Sequence, residues 1–228
     1  MSERENIMSR IHAALHVKAP RPDRHGPVAH VFPAKASPHS IQQWLPQGGE
    51  TFVEQAECFR IRSAELKTNF QLAVSEDEAH TRLAQMADSE NWKCVATHHG
   101  TLTNAAVNEL GLTTLNTTGG YDPKELEACD VGITECDALV AQTGSVIVTS
   151  RDSGGRALSV LPPHHVVLAR REQLVRDLSA GFASVQRKYK PNYPSMISLV
   201  TGPSRTGDIE RILVLGAHGP KKLTILCW

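Results

Sequence analysis

The longest apolar, small-residue and β-branched run in the chain covers residues 130–150 and is interrupted by Gln142-Thr143-Gly144. That pattern predicts two buried strands joined by a tight reversal. Gly132, Cys136, Ala138, Ala141 and Gly144 recur along the run, which leaves room for neighbouring backbone or a ligand to come close. On either side, apolar positions alternate between two periods. Residues 69–74, 94–97, 113–115, 166–169, 196–200, 212–215 and 223–226 read as short buried strands. Residues 51–64 (Phe52, Ala56, Phe59), 105–110 and 124–129 read as helices, and residues 171–189 as one long helix on Leu174, Leu178, Phe182 and Val185. Another helix starts at Ser75, where Ser75 and Glu78 form a capping box ahead of Leu83, Met86 and Ala87. Strands alternating with helices predict an α/β fold with a mainly parallel open sheet and an antiparallel portion from the hairpin. There is no internal repeat.

The first 50 residues follow another pattern. Ile7, Met8, Ile11, Ala14 and Leu15 fall at helical spacing behind a Ser2/Glu5 capping box, and six prolines follow between Val17 and Gly49. Proline removes backbone donors and fixes φ, so this stretch holds neither a long helix nor a central strand. The expected organisation is an amphipathic helix with a Pro-rich arm over residues 1–50 and an α/β domain over residues 51–228. The arm packs on its own domain or on another subunit.

Composition narrows the function classes. The chain has 228 residues, with 24 Lys plus Arg against 24 Asp plus Glu. A balanced charge offers no global field for nucleic acid or an anionic membrane. The five cysteines are odd in number and lack any C-x-x-C pair, which speaks against a disulfide framework, a zinc knuckle or a cysteine-ligated cluster. No run approaches the ~18 apolar residues of a membrane span. The charged start, Met-Ser-Glu-Arg-Glu-Asn, is followed by no signal-peptide core, so the expected compartment is the cytoplasm.

Candidate chemistry gathers in three places. Residues 200–210 hold Gly202 and Gly207 for close approach of an anion, hydroxyls on Ser204 and Thr206, the guanidinium of Arg205, and the carboxylates Asp208 and Glu210. A helix following that loop would turn free N–H groups on a phosphate or carboxylate. The same residues also suit an ordinary turn with a helix cap. This stretch and the Thr143-Gly144 reversal are expected to meet and form the site. His98, His99, His164, His165 and His218 lie at expected turns or strand ends, and His164 and His218 are the weak metal candidates, without any H-x-x-H spacing. Glu135 and Asp137 share a strand face at i, i+2 and are either hydrogen-bonded structural groups or proton-transfer groups.

Several ordered motifs then point further. Gly132-Ile133-Thr134 with Gln142-Thr143-Gly144-Ser145, Leu161-Pro162-Pro163-His164-His165-Val166, residues 201–210 and Leu215-Gly216-Ala217-His218-Gly219-Pro220 together resemble the LUD-domain family, in its lactate-utilization protein C (YkgG) branch. The resemblance runs from about Thr51 onward. It implies a fold similar to the NagB/RpiA/CoA-transferase group, with a β-hairpin extension. It also implies a role in cytoplasmic oxidation of L-lactate to pyruvate beside two partner proteins that carry iron–sulfur clusters. No cofactor is expected on this chain itself, and its own ligand is expected to be a small carboxylate or a phosphate-bearing molecule. Two further readings stay open: a free-standing enzyme of the sugar-phosphate isomerase or CoA-transferase type, and an assembly module without chemistry. The resemblance departs at Gln142, where many relatives carry Glu or Asp; an amide there supplies hydrogen bonds in place of a carboxylate.

Overall fold

A computed structural model of the chain describes residues 3–16, 45–151, 154–206, 214–216 and 218–228. The chain divides into two units, Met1–Trp44 and Leu45–Trp228. In the first unit Glu3–His16 forms helix α1, and the Pro-rich stretch lies mostly outside the described residues.

The second unit opens with α2 (Phe52–Glu65). Its start is fixed by a reciprocal cap: Thr51 Oγ1 accepts the Glu54 N–H, and the Glu54 carboxylate accepts the N–H groups of Thr51 and Glu50. Strand β1 (Asn69–Leu72) and helix α3 (Glu76–Glu90) follow. Ser75 Oγ accepts the Glu78 N–H as expected, but the Glu78 carboxylate takes the N–H of Val74, one residue further out than a capping box requires. Next come β2 (Cys94–Thr97), α4 (Thr101–Leu110), β3 (Thr113–Asn116), α5 (Pro123–Glu127) and β4 (Val131–Glu135). The hairpin is β5 (Ala138–Val140) and β6 (Ser145–Thr149), followed by the short helix α6 (Gly155–Leu158) and β7 (His164–Ala169). A 3-10 turn at Arg171–Gln173, β8 (Leu174–Val175), α7 (Leu178–Tyr189) and β9 (Ile197–Val200) come next. The short strands β10 (Arg205–Thr206) and β11 (Val214–Leu215) and the strand β12 (Lys222–Cys227) close the chain.

Six strands form one all-parallel sheet in the order β1-β12-β7-β4-β2-β3. A second sheet, β8-β5-β6-β9, is antiparallel except for the β5–β8 pair. Alternation along β7 shows how the layers stack. Val166 and Leu168 face α3 and α4 (Leu83, Ala87, Ala106), whereas Val167 and Ala169 face Phe59 of α2 and Leu139, Val146 and Val148 of the second sheet. The far face of the second sheet (Ala138, Val140, Ile147) is covered by Val185 and Tyr189 of α7. Full burial of side chains such as Leu168 and Ile225 stabilises the fold by roughly 1.5–3 kcal/mol each.

Three expectations are corrected here. The 130–150 run is three strands in two sheets: β4 ends in the parallel sheet, the chain steps across through Cys136 and Asp137, and only β5 and β6 form the hairpin. Residues 171–189 are not one helix. Leu174 and Val175 pair with Leu139 and Val140 of β5, and α7 begins only after Asp177, whose carboxylate caps the Ala180 N–H. Strand β7 starts two residues early, at His164, which places both His164 and His165 inside the sheet.

Candidate functional site

The reversal at residues 141–144 and the start of the 201–206 segment do meet. Ser145 Oγ lies 2.8 Å from Thr201 Oγ1. Both segments also press on the C-terminal end of α2. Gly144, at φ +64°, sits where a Cβ would come within 2.7 Å of the Ser63 nitrogen, and at Gly202, φ +98°, a Cβ would come within 2.7 Å of the Leu66 carbonyl oxygen. The close approach that small residues allow is thus made by the chain's own backbone. Gln142 serves the same junction: its amide donates to the Pro46 carbonyl at 3.0 Å and accepts the Leu178 N–H.

The open space lies beside this junction, in a cleft of about 450 Å³. Its walls are Arg156 and Ser159 on and beside α6, the whole of β9, Gly202 and Ser204, and His218 with Gly219. The last two groups are tied together. Ser204 N–H donates to the Pro220 carbonyl and its carbonyl accepts the Gly216 N–H, each at 2.9 Å, while Arg205 and Thr206 of β10 pair with Leu215 and Val214 of β11. Of the residues singled out from sequence, Gly202, Ser204 and His218 line the cleft, whereas Thr143, Gly144 and Arg205 do not. Arg205 is exposed and lies in the strand β10, and the helix expected after this loop falls outside the described residues. Gly207, Asp208 and Glu210 lie outside the described residues. Arg156 escaped the sequence reading. Its only signal was its place in the polar, glycine-rich loop after β6. Among the described residues that line the cleft there is no aspartate or glutamate.

The two carboxylates expected to share a face diverge, because Asp137 lies beyond the end of β4. The Glu135 carboxylate accepts the N–H groups of Leu102 and Thr103 at 2.7 and 3.3 Å, capping α4 from another strand. Gly100, the N-cap residue, supplies no side chain, and a Cβ there would come within 2.1 Å of Glu135 Oε1. The Glu135 N–H donates to His98 Nε2 at 3.2 Å, which leaves His98 Nδ1 to donate to the His99 carbonyl. Asp137 instead holds Lys188 Nζ at 2.7 Å and Tyr189 Oη at 2.6 Å. Burial, reinforced by that carboxylate, pushes the Tyr189 hydroxyl up to about 12.

His164 and His165 point to opposite faces of β7. His164 Nδ1 meets Glu90 at 3.0 Å and Nε2 meets Thr224 at 2.9 Å, at the amino end of the parallel strands, and burial outweighs Glu90 to pull its pKa down. His165 is fully buried, bonded through Nε2 to Thr134 at 2.9 Å, and burial pushes it down to about 3. Among the described residues no group of three or more His, Cys, Asp or Glu is placed to hold a metal ion. The thiols of Cys94 and Cys129 lie 3.0 Å apart, and burial first, with Cys94 second, pushes Cys129 up to about 12. No helix among the described residues is long and apolar enough to cross a membrane.

Residues 56–227 match the LUD domain, from the second turn of α2 through β12 and including every described wall of the cleft. The chain belongs to the LUD-domain family. Among curated relatives, this LUD domain is 34% identical over 103 residues to "Lactate utilization protein C" of Deinococcus radiodurans, covering 45% of this chain and 48% of that one. A protein of the same name from Halalkalibacterium halodurans is 36% identical over 104 residues, 42% of this chain and 43% of the relative. The matched part therefore spans less than half the length of either relative. The fold also matches the crystal structure of a DUF162 family protein from Deinococcus radiodurans with a TM-score of 0.62, at 21% identity, over 78% of this chain and 99% of that one.

Proposed function

We propose that this LUD domain works in lactate utilisation, as the member without iron–sulfur clusters of a three-protein system that oxidises L-lactate to pyruvate. The observation that carries this reading is the cleft itself. The stretches around Gly202 and around His218, both inside the matched LUD domain, are tied together at one end of it, beside Arg156. A guanidinium with nearby hydroxyls and glycine backbone suits the carboxylate of a small 2-hydroxy acid, or a phosphate group. The redox step belongs to the partners. The thiols here fall in two core clusters, Cys58, Cys136 and Cys227 in one and Cys94 and Cys129 in the other, and no C-x-x-C spacing links any of them. The part of this chain is to hold the small acid and to dock the proteins that oxidise it.

Deleting the gene is expected to abolish growth on L-lactate, and Arg156→Gln to weaken binding of lactate, pyruvate or inorganic phosphate by about tenfold, the loss of one charge-assisted contact. Growth on L-lactate that survives deletion would end the lactate reading. Anion binding that survives Arg156→Gln unchanged would end the assignment of the cleft.

A further inference from the structure

In an antiparallel ladder, alternate residues turn both N–H and C=O toward the same neighbour. The Ile147 carbonyl accepts the Asp137 N–H at 2.8 Å, so Ile147 faces β5, and its neighbours Val146 and Val148 face β9. Their partners in register are Val200 and Ser198. The next bond in the series, Ser150 N–H to the Met196 carbonyl at 3.1 Å, keeps the same alternation. Ile197 and Leu199 therefore direct their N–H and C=O groups away from β6, and among the described residues β9 is the last strand of its sheet.

Those groups face the cleft. Met196 through Thr201 line it without a gap, and since successive side chains of a strand point to opposite faces, a wall of consecutive residues is a strand edge. The contrast is a second pocket of about 490 Å³, which takes Leu112, Thr114 and Asn116 in alternation and is therefore walled by the face of β3. Free edges are normally guarded by a charge or a proline. The sequence of β9, Ile197-Ser198-Leu199-Val200, has neither, and Leu199 is 38% exposed. Among the described residues of the lining, Arg156 and His218 are the ionisable ones, and they favour a segment that carries a carboxylate.

We infer that β9 receives an extended, carboxylate-bearing peptide segment of a partner protein as the fifth strand of its sheet. Backbone bonds to Ile197 and Leu199 hold the segment in register, and its carboxylate meets Arg156. The inference goes beyond the lactate reading, and since both place a carboxylate on Arg156, the segment and a small acid exclude one another there.

The test uses the full chain and a synthetic mixture of pentapeptides Xaa-Val-Xaa-Val-Asp with free carboxyl ends, followed by amide hydrogen exchange. In the free chain the Ile197 and Leu199 amides should exchange at least about tenfold faster than those of Ser198 and Val200, and the mixture should remove that difference. Leu199→Pro deletes an outward donor, spares the β6 ladder and should abolish the effect. Should that variant not fold, the same mixture N-methylated on alternate amides tests the same bond and should leave exchange unchanged. Ile197 and Leu199 amides already protected in the free chain, no protection at millimolar peptide, or equal protection by the N-methylated mixture would each overturn the proposal. None of these results bears on growth on L-lactate, so the two readings fail separately.

Discussion

The two larger sheets of this domain share a core but differ in what their edges meet. The parallel sheet has helices α3 and α4 on one face and α2, α6 and the second sheet on the other, and its central strands β12, β7 and β4 bury nearly every side chain. The second sheet is equally buried along β5 and β6, but it ends in β9, whose residues are half-buried or exposed and whose outer edge lines the cleft. Strands paired on both sides have spent their backbone groups on the fold. The terminal strands β1, β3, β8 and β9 are each paired on one side, and of these β9 is the one whose edge lines the cleft, so binding is to be sought there.

The difference is easiest to break in the core. Leu168→Ala in β7 should cost about 2–5 kcal/mol in urea unfolding, whereas Leu199→Ala in β9 should stay within about 0.5 kcal/mol, because only the first leaves a closed cavity. Equal losses would mean that β9 is covered.

A second contrast is set by pH. His165 is neutral in the folded chain down to about 3 but charges below about 6.5 once unfolded, so the unfolded state binds the extra proton between those values. Stability should therefore fall as pH drops from about 6.5 toward 3, by up to about 1.4 kcal/mol per pH unit, with His164 adding in the same direction. Urea midpoints at pH 7, 6 and 5 should show this slope in the native protein and a shallower one in His165→Gln. An unchanged slope would place the proton uptake elsewhere.

The smallest effect sharpens the comparison at the carboxyl end of the parallel sheet. Glu135→Ala should cost about 1–2 kcal/mol by uncapping α4 and speed exchange of the Leu102 and Thr103 amides, while anion binding at the cleft stays unchanged. Lost anion binding with unchanged stability would instead make Glu135 a site residue.

What could be read from the chain alone follows how far each interaction reaches. The cap at Ser75, the alternation of strands with helices and the turn at Gln142-Thr143-Gly144 are decided by residues within a few positions of one another, and the α/β class follows from them. The family was legible too, because its motifs are contiguous stretches. The errors sit where a distant partner decides. Leu174 and Val175 carry helical spacing but pair with β5, and Glu135 and Asp137 keep an i, i+2 spacing that means nothing once the chain leaves one sheet between them. Arg156 shows nothing local beyond a glycine-rich loop, and the free edge of β9 is invisible in a strand pattern that reads the same whether one side is paired or both. The sequence by itself determined the elements, their class and the family. Only the tertiary structure decided which edge stays open and which polar groups face it, because a backbone hydrogen bond carries no trace in the identity of the residue that makes it.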